Sequence, residues 1–274
     1  MEQESPFNSI HNESLRKYLA FKSYAYIYEQ LFETKIVHRE RDREKAFRIR
    51  YDIYCAEYGF EDAKQFEREL EKDSFDDIAQ QVLLIHKPSG EAVGTARVIP
   101  PNARELMGSF PLQEAFNCSQ LSNEFSLQRM GEISRLCVLK DFRGKANLDG
   151  KTSYNPLDAI YGKFASKLIK FGPIGLIRSA FEMSADRKLD RACAIMETRL
   201  IRSLERLGIL CDRIGPVIDY HGKRQPVIID LHGSLCNIRA RQKSLWEMIS
   251  YNGALQNRLD IVRDHNDMIA HRAA

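Results

Sequence analysis

The stretch Gly131 to Gly144, G-E-I-S-R-L-C-V-L-K-D-F-R-G, carries both a structural element and a chemical question. Ile133, Leu136, Cys137, Val138 and Leu139 give it the apolar, β-branched character of a buried strand, and Lys140, Asp141 and Gly144 are turn residues that end it. Glu132, Ser134 and Arg135 sit inside that run. A carboxylate and a guanidinium in an apolar strand are costly to desolvate unless they meet partners or a ligand. A structural ion pair and a reactive site are both open at this point. Strict alternation along a strand puts Glu132 and Arg135 on opposite faces, whereas a bulge re-aims one of them. A joint role for the two therefore predicts a bulge in this strand.

Working outward, the segment before it reads as a hairpin: Gln81 to His86, a Pro88-Ser89-Gly90-Glu91 turn, and Ala92 to Ile99 with Arg97 inside the second strand. Residues 102 to 130 form a polar connection anchored at Phe110-Pro111. Upstream, Glu61 to Asp77 is a long charged connection ending in E-x-D-x-x-D, that is Glu71, Asp73 and Asp76. A charge run is usually a solvated face, but a connection of this length in a compact domain is often functional. Before it, a helix is expected from a cap at Asp42 to Tyr58, stopped by Gly59. Arg50 and Tyr54 are four apart there, so the guanidinium is expected beside an aromatic wall. Residues 14 to 34 place aromatic residues at helical spacing, and Lys35 to Arg39 reads as a short strand.

Downstream, helices are expected over Pro156 to Lys170 and Pro173 to Lys188. A strand follows over Asp190 to Met196, then a helix from Glu197 to Leu207 closed by Gly208. Extended segments follow at Ile209 to Arg213, Val217 to Tyr220 and Val227 to Leu231. Leu235 to Ile269, with Trp246, reads as one or two added helices. The alternation implies a mixed α/β chain built around one sheet. The boundaries expected are an N-terminal helical arm over 1–34, a core domain over 35–231 and a C-terminal helical extension over 232–274.

The 274 residues suffice for a large core, and a formal charge of +3 gives no case for a general nucleic-acid binder. The polar, acidic N-terminus has neither a basic n-region nor an apolar h-region, so a cytoplasmic location is expected, and no apolar run is long enough to span a bilayer. Six scattered cysteines without C-x-x-C spacing, and histidines without ligand spacing, suggest reduced thiols and no metal site. Cys137 has no identifiable partner histidine and reads as packing. His221 reads as a turn residue near a candidate site.

The ordered set R-Y-D-I-Y-C-A-E-Y-G-F (50–60), E-K-D-S-F-D (71–76), V-G-T-A-R-V-I-P (93–100) and E-I-S-R (132–135) resembles the acyl-homoserine-lactone synthases, members of the GNAT acyltransferase fold. The second half, with I-M-E-T-R-L-I-R-S-L-E-R-L-G-I and I-G-P-V-I-D-Y-H-G-K-R-Q-P, looks more like N-acyl amino acid synthases and the acyltransferases associated with the PEP-CTERM/exosortase system. Tyr54 and Phe60 depart from the phenylalanine and tryptophan usual in the lactone synthases.

The resemblance implies a GNAT-like, mostly antiparallel sheet flanked by helices. It also implies transfer of a medium-to-long acyl chain to an amine, with acyl carrier protein phosphopantetheine thioester, or acyl-CoA, as donor and no permanently bound cofactor. Arg50, Tyr54, Phe60, Glu71, Asp73, Asp76, Arg97 and Phe110 fall on acceptor-side positions. Glu132, Ser134 and Arg135 fall on the catalytic strand. Leu136, Cys137, Val138, Arg143, Gly144 and Lys145 would meet the phosphopantetheine arm. Arg143, Lys145, Lys163, Lys167, Lys170 and Arg178 offer a basic landing surface for an acidic carrier protein. A lactone synthase using S-adenosylmethionine and a non-catalytic acyl-sensing module are the alternatives.

Overall fold

The computed structural model describes residues 22, 25–116, 118–142, 172–220 and 222–273. The expected helix at Pro156–Lys170 and the residues Arg143, Gly144, Lys145, Lys163, Lys167, Lys170 and His221 lie outside them.

One eight-stranded sheet organises the chain, in the order β1-β2-β3-β4-β5-β8-β6 with β7 also on β8. Its strands are β1 (Phe32–Ile36), β2 (Gln80–His86), β3 (Glu91–Ile99), β4 (Met130–Val138), β5 (Arg191–Glu197), β6 (Leu210–Arg213), β7 (Ile218–Asp219) and β8 (Lys223–Asp230). Every pairing is antiparallel except β4 with β5. The mixed, mostly antiparallel GNAT-like sheet expected from the sequence is therefore present.

Period-two alternation sorts the side chains of β2 onto two layers. Val82 and Leu84 pack with Leu176, Ala180 and Met183 of helix α5 (Gly172–Asp186) on one face. Leu83 packs with Ala46, Ile49 and Ile53 on the other, under helix α2 (Glu40–Tyr51) and the turn that follows it. Between α2 and α5 come two five-residue helices, α3 (Pro111–Ala115) and α4 (Glu124–Gln128). Gly175 lets α5 sit close to helix α1 (25–31), because a Cβ there would lie 2.4 Å from the Tyr28 hydroxyl.

After α6 (Thr198–Leu207), which Gly208 closes at φ 99, the chain forms α7 (Leu231–Arg241), α8 (Lys243–Ile249) and α9 (Ala254–Ala273). Three helices thus stand where one or two were expected, and the first starts directly at the end of β8. Asp230 caps it by accepting from the Gly233 N–H at 2.8 Å. Leu235, Ile238, Ile249 and Leu259 share one core with Phe181, Ala194 and Val227. Among the described residues no helix is long and apolar enough to cross a membrane.

Three boundaries differ from expectation for physical reasons. The first strand begins at Phe32, because Phe32 is buried in the sheet's core and Glu33 and Lys35 alternate outward. Asp42 does not cap α2; it lies in the first turn and pairs with Lys35 at 2.7 Å. The helix also stops early, passing at Asp52–Glu57 into a wider π-helical turn. That turn releases the Tyr54 carbonyl, which accepts from the Phe60 N–H at 2.7 Å.

Candidate active site

The expected bulge lies in β4. Arg97 pairs with Ser134 and Thr95 with Cys137, so two steps along β3 match three along β4. Arg135 takes the extra position at φ 53, a left-handed conformation that costs a non-glycine residue about 1–3 kcal/mol. Its guanidinium is held in return: Nε and Nη2 donate to Glu71 Oε1 at 3.1 and 2.9 Å, and Nη2 to Asp73 Oδ2 at 3.3 Å. The bulge thereby puts Arg135 on the same side as Arg97, which also holds Asp73.

Arg50, Arg97 and Arg135 close into one network with Glu71, Asp73 and Asp76, and Glu61 lies at its edge, 3.8 Å from Arg135. Arg50 donates Nε to Glu71 Oε2 and takes Asp76 in a fork at 2.7 and 3.0 Å. Arg97 forks Asp73 at 2.7 Å on both oxygens, reaches Asp76 Oδ1 at 2.8 Å, and donates Nε to Ser134 Oγ at 3.0 Å. The chain around Asp73–Asp76 closes as a capping box, with the Asp73 N–H donating to Asp76 Oδ2 at 2.9 Å. Burial alone would raise the Glu71 and Asp76 carboxyls. Arg50, with Arg135 for Glu71 and Arg97 for Asp76, outweighs burial and holds both below the ordinary carboxylate range. Such fully bonded forks are geometrically specific, and each side chain satisfies the next.

Glu132 takes part in none of these ion pairs. That carboxyl is 2% exposed, accepts from the Leu112 N–H at 2.8 Å, and makes no ion pair among the described residues. Burial pushes its pKa up to about 7, against the opposing Leu112 bond and the fields of Arg97 and Arg135. A carboxyl poised near neutrality can take a proton from an amine and give it up again.

Two adjoining chambers meet at this strand. β4 and β5 pair only from Met130–Glu132 to Arg191–Cys193, after which the sheet opens as a wedge. The wedge holds an apolar cavity of about 260 Å³, walled by Ile133, Leu136, Val138, Phe181, Ile195 and Leu200 among others. A smaller polar chamber of about 50 Å³ lies on the Glu132 side, with Ser134, Glu61, Leu112, Tyr220 and Arg224 on its walls. Tyr54, Phe60, Ser134, Arg135, Ile195 and Arg224 line both, so the two are neighbours.

The residues expected from sequence are distributed as follows. Arg50, Glu71, Asp73, Asp76, Arg97 and Arg135 come together, but as partners of one another; Arg50, Glu71, Asp76 and Arg97 are almost wholly buried. Arg135, and not Arg50, lies over the Tyr54 ring at 5.4 Å, because the π-turn breaks the four-residue spacing; Arg50 lies over Phe47 at 5.2 Å. Leu136, Cys137 and Val138 line the apolar cavity. Burial pushes the Cys137 thiol up to about 12, which leaves it a packing group. Phe110 is fully buried in a separate core with Ile99, Leu112 and Leu121. Arg178 is no part of a landing surface: it is 4% exposed, donates to Glu29 Oε1 at 2.8 Å and lies over the Tyr251 ring at 4.5 Å. Sequence reasoning missed Glu61, Tyr220 and Arg224. The aromatic and basic character of Tyr220 and Arg224 beside Gly222 is the signal that could have found the last two.

Residues 49–152 match the acetyltransferase (GNAT) domain, a span that takes in the whole charged network. No curated protein matches the chain. Among solved structures it resembles TofI, crystallised in a ternary complex with an inhibitor and MTA, at 18% identity and TM-score 0.52, over 75% of this chain and 96% of that one. FeeM, an N-acyl amino acid synthase from uncultured soil microbes, matches at 14% identity and TM-score 0.50, over 77% and 97%. The AHL synthase LasI follows at 13% identity and TM-score 0.49, over 73% and 90%. At these identities what is shared with TofI and FeeM is the fold. The chain carries a GNAT domain and is an acyltransferase.

Proposed function

We propose that this protein is a cytoplasmic N-acyltransferase that moves a medium-to-long fatty acyl chain from acyl carrier protein to the amine of an amino acid or amino-acid-like acceptor. The observation that carries the reading is Glu132: a buried carboxyl with no ion pair among the described residues, on the wall of a polar chamber that adjoins an apolar cavity. In this reading the acyl chain occupies the wedge between β4 and β5, and the amine enters the polar chamber. The neutral amine attacks the thioester carbon, the C–S bond breaks, and the amine proton passes through Glu132 to the departing thiolate, leaving an amide and a free thiol. Among the described residues no strand pairs with the wedge-facing edge of β4 from Ile133 onward, and in this reading backbone N–H groups of that edge meet the developing oxyanion. The ion network holds the bulged strand in place, with Arg135 and Asp73 its more open members.

A carrier-bound donor presents one phosphate, which suits the single basic pair Arg143 and Lys145 of D-F-R-G-K better than a coenzyme A pyrophosphate. The catalytic part spans 35–231 in this reading, with 1–34 an arm and 232–274 an extension. Thiol release from long-chain acyl carrier protein tests it, with and without an amino-acid pool and S-adenosylmethionine and with products read by mass spectrometry. Release that depends on amino acids and yields an acylated amine is the expected result. A lactone made from S-adenosylmethionine would make the protein a lactone synthase, and binding without release would make it a sensor.

A further inference from the structure

We propose that the outer edge of β1 is the surface through which two copies of this chain associate, each extending the other's sheet. β1 ends the sheet on the side away from β8 and β6, and among the described residues no strand pairs with its outer edge. The hydrogen bonds at its two ends fix which backbone groups that edge presents. The Leu31 carbonyl accepts from the Lys87 N–H and the Val37 N–H donates to the Gln81 carbonyl, both at 2.8 Å. Antiparallel bonding alternates along a strand, so Glu33 and Lys35 also turn their N–H and C=O groups toward β2, and Phe32, Thr34 and Ile36 turn theirs outward. Such an edge is a template for another strand.

The sequence of that edge is complementary to itself. A two-fold axis at Thr34 sets F-E-T-K-I against its own reverse, with Thr34 opposite Thr34, Phe32 opposite Ile36, and Glu33 opposite Lys35 of the second copy. In that register the outward-facing residues meet one another. Thr34 exchanges both N–H···O bonds with its counterpart, and Phe32 does the same with Ile36 at each end. Alternation puts Glu33 and Lys35 on one exposed face, while Phe32 is anchored in the core and Thr34 Oγ1 accepts from the Ser179 hydroxyl at 2.9 Å. The Glu33 carboxylate has no hydrogen-bond or ion-pair partner among the described residues. Lys35 holds Asp42 Oδ2 at 2.7 Å with a side chain 51% exposed, and an ammonium has three donors, so it can take Glu33 of the second copy as well.

Charges on an edge strand discourage pairing with strands at large. Here each charge meets its opposite when a second copy docks in this one register, so the pattern that rejects other strands accepts its own. β4 lies three strands in from this edge, and no residue of β1 walls either chamber, so the association leaves both open.

Sedimentation velocity on the full chain over a concentration series tests this, with Glu33→Lys, Lys35→Glu and an equimolar mixture of the two variants. The unmodified protein is expected to show a reversible monomer–dimer equilibrium. Each variant alone sets like charges against each other on both sides of the axis and should weaken the dimer by about tenfold or more in Kd. The mixture opposes unlike charges again and should restore it, which also shows that both variants are folded. Hydrogen exchange in the peptide that carries β1 should slow as the concentration of unmodified protein rises. A dimer that neither variant weakens, or that the mixture does not restore, would overturn the inference. So would a protein of monomer mass throughout the series; slow exchange of β1 at every concentration would then show that the edge is covered within the chain.

Discussion

Replacing Glu132 by glutamine is expected to remove most turnover and to stabilise the protein at the same time. Glutamine keeps the shape and an oxygen for the Leu112 N–H, 2.8 Å away, but cannot accept the amine proton. Loss of a positioned general base costs about 10²–10⁴-fold in rate. The stability effect follows from burial, which moves the carboxyl from 4.5 up to about 7. The folded state therefore holds this proton more tightly than the unfolded chain. Its stabilising contribution is complete below the unfolded value, falls as pH rises through the folded one, and is gone above it. At ~1.4 kcal/mol per pH unit, that gap makes the ionised carboxylate roughly 3 kcal/mol worse for folding than a neutral side chain. Urea unfolding near pH 8 should show E132Q more stable by up to about 3 kcal/mol, with the difference closing towards pH 4.5. Unmodified enzyme should gain kcat/KM up to a plateau above about pH 7, a limb the variant lacks. An E132Q protein that turns over normally would refute the base. One that unfolds more easily near pH 8 would show that the charge serves the fold.

Asp76→Asn breaks the shared fork of Arg50 and Arg97 and should cost about 3–5 kcal/mol near pH 7 in urea unfolding. Asp76 is held below its ordinary value, so its contribution is present above the unfolded pKa and lost in acid; the deficit of the variant should shrink there. Leu200→Trp fills the apolar cavity from a half-buried wall and should shift the accepted acyl chains to shorter ones in a chain-length series, with little change in folding. Cys137→Ala should keep turnover within about tenfold, whereas a loss of about 10⁴-fold or more would make the thiol a nucleophile. Gly131→Ala should cost about 1–3 kcal/mol, because the new Cβ would lie 2.8 Å from Leu189 Cδ1 and 3.0 Å from the Ile99 carbonyl oxygen.

What was legible in the sequence was the part set by local pattern. Glu132 and Arg135, three apart in an apolar run, called for a bulge, and the bulge is present. The E-x-D-x-x-D spacing marked the carboxylates that meet the strand arginines. The misplacements have a common cause, since partners distant in sequence decide them. Tyr54 moved from Arg50 to Arg135 because a π-turn follows Tyr51, and Arg178 turned inward because Glu29 and Tyr251 were there to receive it. Tyr220 and Arg224 reach the site only because β8 pairs with β5, an arrangement no local periodicity reports.

The most direct measurement is photo-crosslinking with acyl carrier protein loaded with a long chain that ends in a diazirine, followed by peptide mapping. Label on the peptides of β4, β5 and α5 that wall the wedge, with the thioester still open to release by added amino acid, is the result expected. Label confined to the outer faces of the C-terminal helices, or a wedge left unlabelled while turnover continues, would contradict the placement of the acyl chain beside Glu132.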